Sequence, residues 1–134
     1  MSLFNVFSIA GSAVSAQSKR LNVVASNLAN AEAVAGPDGK PFQARQVHFQ
    51  SLPVEGGDLP GVRVAAVTES TALGKRVHDP RHPLADDQGY VTQSNVSVVD
   101  EMVNMISASR AYQNNVEVMN TARQLLSKTL QMGS

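Results

Sequence analysis

The chain has 134 residues, enough for one modest domain, with 11 Lys+Arg set against 11 Asp+Glu. Zero formal charge excludes the basic surplus of a nucleic-acid module and the excess of an acidic solvating tail. No cysteine is present, which rules out a disulfide scaffold, a thiolate metal site and a cysteine nucleophile. Apolar runs are broken every few residues, far short of the ~18 that a spanning helix needs. Lys19 and Arg20 follow the first apolar stretch rather than precede it, so a cleaved secretory signal is not expected.

Helix breakers divide the chain. All six prolines and seven of the nine glycines lie between residues 31 and 97, leaving only Gly11 and Gly133 in the flanks. The first segment, 1–30, carries a seam at 7, 10, 14, 17, 21, 24 and 28, where Gln17 is the single polar entry. Ser2 is its expected N-cap. The insert, 31–97, reads as short strands: Phe42 to Ser51, the Val62–Val64 region, and Gly89-Tyr90-Val91 after a turn at Asp86-Asp87-Gln88. The last segment, 98–134, carries a second seam at 98, 102, 105, 109, 112, 116, 119, 123, 126 and 130. Ser97 to Asp100 fits a capped start and Gly133 a stop. The expected fold is α+β: two long terminal helices, about 40 and 50 Å at 1.5 Å per residue, pairing as a coiled-coil-like hairpin around a small β-rich insert.

Charge is distributed against the usual pattern. The two flanks and the insert are equal in length, yet only eight of the 22 charged side chains lie in the flanks. A surface helix normally coats its outer face with Lys and Glu. Here the positions off the seam hold neutral groups such as Ser12, Asn22, Asn104, Asn114 and Asn120. Amides and hydroxyls can be buried against protein at lower cost than full charges. Either this is a lone hairpin with a solvated polar face, or the helices are buried on several sides in an assembly. The shortage of charge favours assembly.

Sites for chemistry are lacking. His78, Asp79 and His82 form the one metal-like cluster, but Pro80 and Pro83 break the helix that this spacing would need, so a solvated loop is expected. There is no phosphate-cradling glycine loop, no nucleophile elbow, and no carboxylate pair in an apolar setting. An amphipathic membrane helix would want Lys and Arg along its polar face, and these helices lack them. The reading is not an enzyme, with no cofactor, no metal, no nucleic acid and no direct lipid binding.

Ala25-Ser26-Asn27-Leu28-Ala29-Asn30-Ala31 resembles the N-terminal signature of the bacterial flagellar rod, hook and hook-associated axial proteins. Met1 to Phe4, Gly36 to Pro41, His82 to Asp86 and the run from Glu101 to Gln113 narrow the likeness to the proximal rod proteins. Asn115 to Ala122 extends it. The resemblance implies a structural subunit of the flagellar basal-body rod, which crosses the periplasm and transmits torque. Export would use the flagellar type III apparatus, without cleavage. Partners would be copies of itself, other rod proteins and the basal adaptor protein.

Under this resemblance the expected assembly interface is Leu21, Val24 and Leu28 of the first helix with Met102, Met105, Tyr112, Val116 and Met119 of the second. Asn27 and Asn30 are expected to hydrogen-bond backbone at the end of the first helix, although a simple helix stop is open for Asn30. A soluble coiled-coil adaptor or secretion chaperone is the alternative. A small metal-binding protein using His78, Asp79 and His82 is a third reading.

Overall fold

A computed structural model describes residues 3–53 and 59–133. The elements follow in the order α1 (Leu3–Ala29), β1 (Arg45–Leu52), β2 (Gly61–Glu69), β3 (Arg76–His78), β4 (Tyr90–Thr92) and α2 (Val98–Met132). Two helices thus flank short strands, an α+β arrangement. Ser2, the expected N-cap of α1, lies outside the described residues. The strands form two separate two-stranded sheets, β1–β2 and β3–β4.

By contact the chain falls into two compact units that cut across chain order. One comprises Met1–Leu21, Val47–Ala66 and Ile106–Ser134; the other comprises Asn22–Gln46 and Val67–Met105.

In the first unit the helices pack side by side. Gly11 of α1 lies against Met119 of α2. Leu3, Phe4 and Phe7 share a groove with Ala122, Arg123 and Leu126, so the two helices run antiparallel. Ala10, Ala16, Ala108 and Ala122 are the buried residues of this contact layer. Methyl side chains at these positions let the backbones approach closely, which larger residues would prevent. Ser12 links the helix to the strands: its hydroxyl donates to the Ile9 carbonyl at 2.7 Å and accepts the Val62 N–H at 3.0 Å.

The second unit has a core of Ala31, Ala44 and Val96, with Phe42 and Val98 packed against it. Three consecutive residues between β4 and α2 hold it. Ser94 donates to the Ala31 carbonyl at 2.6 Å. Asn95 accepts the Ala44 N–H at 2.6 Å and donates to the carbonyls of Ser70 and Ala72. Val96, the next residue, is fully buried. Backbone groups of irregular segments must find partners when buried, and these side chains supply them.

Arg76–His78 is a strand that the sequence does not announce, and only His78 of it belongs to the loop expected at His78–His82. It pairs antiparallel with β4 in the register Arg76–Thr92, Val77–Val91 and His78–Tyr90. The connecting turn is built on Asp86, whose Oδ1 accepts the N–H groups of Gln88 and Tyr90 and whose Oδ2 meets Arg76 at 2.8 Å. Arg76 also lies over the Tyr90 ring. The Tyr90 N–H holds the Asp86 carboxyl below the ordinary value against a smaller opposing effect of desolvation, helped by Gln88 and Arg76. Gly89, at φ +83°, takes the left-handed conformation that closes the turn.

Ser97 caps α2: its hydroxyl accepts the Asp100 N–H at 3.4 Å and its carbonyl the Glu101 N–H at 3.0 Å. No helix among the described residues is long and apolar enough to cross a membrane.

Candidate assembly interface

On α1 the seam is met in part: the buried residues are Ala10, Ala16, Val24 and Asn27, so Ala16 and Asn27 take the inward places beside Gln17 and Leu28. Ala10 and Val24 are buried, and Val14, Gln17, Leu21 and Leu28 are half-buried. Phe7, the first member, is 41% exposed.

On α2 part of the seam is displaced by one residue. Val98, Met105, Tyr112, Met119 and Leu126 are half-buried. Of the expected 102, 109, 116 and 123 between them, Ser109 and Val116 are half-buried while Met102 and Arg123 are exposed; the residues one place earlier, Glu101, Ala108, Asn115 and Ala122, are half-buried or buried. Met102 is 53% exposed, while Val116 remains half-buried. Apolar counting selects Met102 over Glu101. The chain instead turns a polar or small residue inward and keeps large apolar ones outside. Val99, Met102, Val103 and Ile106 form an outward apolar row, with Val118 and Leu125 further along the helix.

Asn27 is wholly buried and does more than end a helix. Its Nδ2 donates to the Arg45 carbonyl at 2.8 Å and to Glu101 Oε2 at 3.1 Å, and its Oδ1 accepts the Arg45 N–H at 2.9 Å. One amide thereby satisfies both backbone groups at the start of β1 and fixes α2 through Glu101. Asn30 is half-buried and donates to the Ser26 carbonyl at 2.9 Å, within its own helix end. Sequence reasoning places both amides near backbone, but not the reach of Asn27 to a strand 18 residues away.

The imidazoles of the metal-like cluster have separate local roles. His78 packs edge-on against Tyr90 at 4.9 Å between centroids, and His82 Nδ1 accepts the Leu84 N–H. Among the described residues no group of three His, Cys, Asp or Glu side chains could hold a metal ion.

Two family descriptions match the terminal parts of the chain. Residues 7–37 match "Flagella basal body rod protein", and residues 87–132 match "Flagellar basal body rod FlgEFG protein C-terminal". The flagellar basal-body rod protein FlgC of Salmonella typhimurium is 58% identical over 133 residues, 99% of each chain. The chain belongs to the FlgC family of flagellar basal-body rod proteins. Among the other FlgC proteins, that of Yersinia enterocolitica is 57% identical over 133 residues and that of Buchnera aphidicola subsp. Schizaphis graminum 48% over 135, each across 99% of both chains. The two family descriptions cover most of α1 and all of α2, the helix that carries the outward apolar row.

Proposed function

We propose that this chain is a structural subunit of the proximal rod of the flagellar basal body, assembling through its terminal helices and transmitting torque. The observation that carries the reading is the outward row on α2: Val99, Met102, Val103 and Ile106 are between 53% and 71% exposed in the isolated chain. A single chain gains nothing from large apolar groups on the outside of a helix, whereas a subunit packed on several neighbours buries them. Burial is favourable by roughly 25 cal/mol per Å² of apolar surface. Four such side chains per subunit, repeated through an assembly, resist the shear that rotation imposes. No bond is made or broken in that role.

The assembly surface comprises 1–30 and 98–134, and the 31–97 insert faces other neighbours. Leu21, Val24, Leu28, Met105, Tyr112 and Met119 first join the two helices of one subunit, and Met102 and its row meet the next subunit. Asn27 and Asn30 hold the end of α1 in position for this. The rod crosses the periplasm, the subunit reaches it through the flagellar type III export apparatus, and its neighbours are other rod proteins and the basal adaptor protein.

An epitope inserted between Gly56 and Gly57 leaves both helical segments intact in sequence. Basal bodies purified in detergent from cells expressing that chain should contain the tag in the rod fraction. A tag found only on a soluble cytosolic dimer, in cells that swim, would replace this reading with that of an adaptor.

A further inference from the structure

Among the described residues the four methionines all lie on α2, and they divide by exposure. Met105 and Met119 are half-buried, and the Met119 methyl faces Gly11 of α1. Met102 is 53% exposed and Met132, the last residue of the helix, 86%. The two exposed thioethers stand in different surroundings. Met132 closes α2, whereas Met102 has Val99 three residues before it, Val103 next to it and Ile106 four residues after it, all exposed. Three- and four-residue spacings put side chains on one helix face. Met102 therefore lies within the outward apolar row.

With no cysteine and no tryptophan, the chain has its most easily oxidised groups in these thioethers. Oxidation turns a flexible apolar side chain into a polar one and leaves the backbone unchanged. A sulfoxide at Met102 costs the single chain little, because water already reaches that side chain. Buried against another subunit among Val99, Val103 and Ile106, the same oxygen would be stripped of water in apolar surroundings.

Resting on the rod reading, we propose that Met102 is a modification site: a hydroperoxide converts it to the sulfoxide in the free subunit, and the sulfoxide keeps that subunit out of the rod. The sulfur lone pair attacks the terminal oxygen of the hydroperoxide. An S–O bond forms, the O–O bond breaks, and the departing oxygen carries away the hydroperoxide proton as water or an alcohol. Sulfur loses two electrons and the peroxide gains them. Methionine sulfoxide is reducible enzymatically, so the excluded subunit is recoverable. A subunit already in place has its row covered, and its Met102 is shielded from the oxidant.

The purified chain is first treated with dilute hydrogen peroxide, and the sites of oxygen gain are read by peptide mass spectrometry. Met102 should be oxidised several times faster than Met105 and Met119; equal rates overturn the site. Cells expressing the tagged chain are then given hydrogen peroxide while flagella form, and the chain is recovered from the cytosol and from purified basal bodies. The oxidised fraction of Met102 should be lower by about tenfold or more in basal bodies than in the free pool. Equal fractions overturn the exclusion and leave the rod reading standing. Met102→Gln, a polar stand-in for the sulfoxide, should keep the helical circular dichroism of the parent and be missing from basal bodies. Met102→Leu should be incorporated under peroxide as well as without it. Incorporation of Met102→Gln at the parent level, or loss of Met102→Leu under peroxide, also overturns the proposal. Absence of the unsubstituted tagged chain from basal bodies overturns the rod reading itself.

Discussion

Asn27 holds Arg45 as a neighbouring strand would, donating to its carbonyl at 2.8 Å and accepting its N–H at 2.9 Å. The amide is fully buried and also donates to Glu101. Replacing it by alanine leaves two backbone groups and a carboxylate oxygen short of a partner. Asn27→Ala should therefore cost about 1–3 kcal/mol in urea unfolding. Asn27→Asp should cost more, because a carboxylate would face both the Arg45 carbonyl and Glu101. Faster hydrogen exchange at the Arg45 amide would locate the damage in the alanine variant.

Two glycine substitutions should have opposite signs. A Cβ on Gly74 would collide with the Gln93 carbonyl oxygen and come within 3.1 Å of Thr92 Cγ2. Gln93 cannot retreat freely, since its N–H donates to Lys75 at 2.7 Å. Gly74→Ala should lower stability by about 1–3 kcal/mol. On Gly11 the added methyl would lie 3.6 Å from Met119 Cε, an ordinary contact. Gly11→Ala should raise stability by about 0.5–1 kcal/mol, because glycine costs that much inside a helix. Thermal unfolding of the two variants beside the parent checks both signs.

Acid should loosen the β3–β4 turn. The Tyr90 N–H, with Gln88 and Arg76, holds the folded Asp86 carboxyl below its ordinary value. A carboxyl depressed in this way contributes stability above its unfolded value, about 3.9, and loses it as pH falls towards the lower folded value. An NMR titration should place the Asp86 midpoint below that of an unstructured aspartate. Asp86→Asn should remove the acid sensitivity of the turn. A midpoint at or above the ordinary value would contradict the role given to Tyr90.

The displaced seam on α2 predicts which face tolerates change. Ala108 is fully buried, so Ala108→Leu should cost about 1–3 kcal/mol through overpacking. Ile106 is 56% exposed, and Ile106→Ala should stay within about 0.5 kcal/mol in the isolated chain. Urea unfolding of the purified variants separates them.

Much of this architecture is legible in the sequence, and what is hidden has physical reasons. Glycine and proline confined to the middle leave two uninterrupted helices, and Ala10 and Val24 of the α1 seam are buried as their spacing suggests, while Ala16 and Asn27 take the inward places beside Gln17 and Leu28. On α2 the same method misplaces Met102, which is as apolar as a core residue; periodicity cannot say whether an apolar row faces its own chain or another. Ala108 and Ala122 carry too little apolar weight to announce themselves, although closeness of packing is what makes alanine suitable there. The strand Arg76–His78 has three exposed residues and no alternation to detect. It exists because β4 pairs with it and Asp86 builds the turn. The partners of Asn27 are 18 and 74 residues away, a relationship that no local pattern encodes.

The central claim is that the outward row of α2 serves assembly and not the fold of the single chain. Val103, 60% exposed, tests this most directly. Tagged Val103→Asp should retain the helical circular dichroism of the parent when purified, yet be absent from basal bodies and leave cells non-motile. Normal incorporation of Val103→Asp, in cells that swim, would contradict the claim.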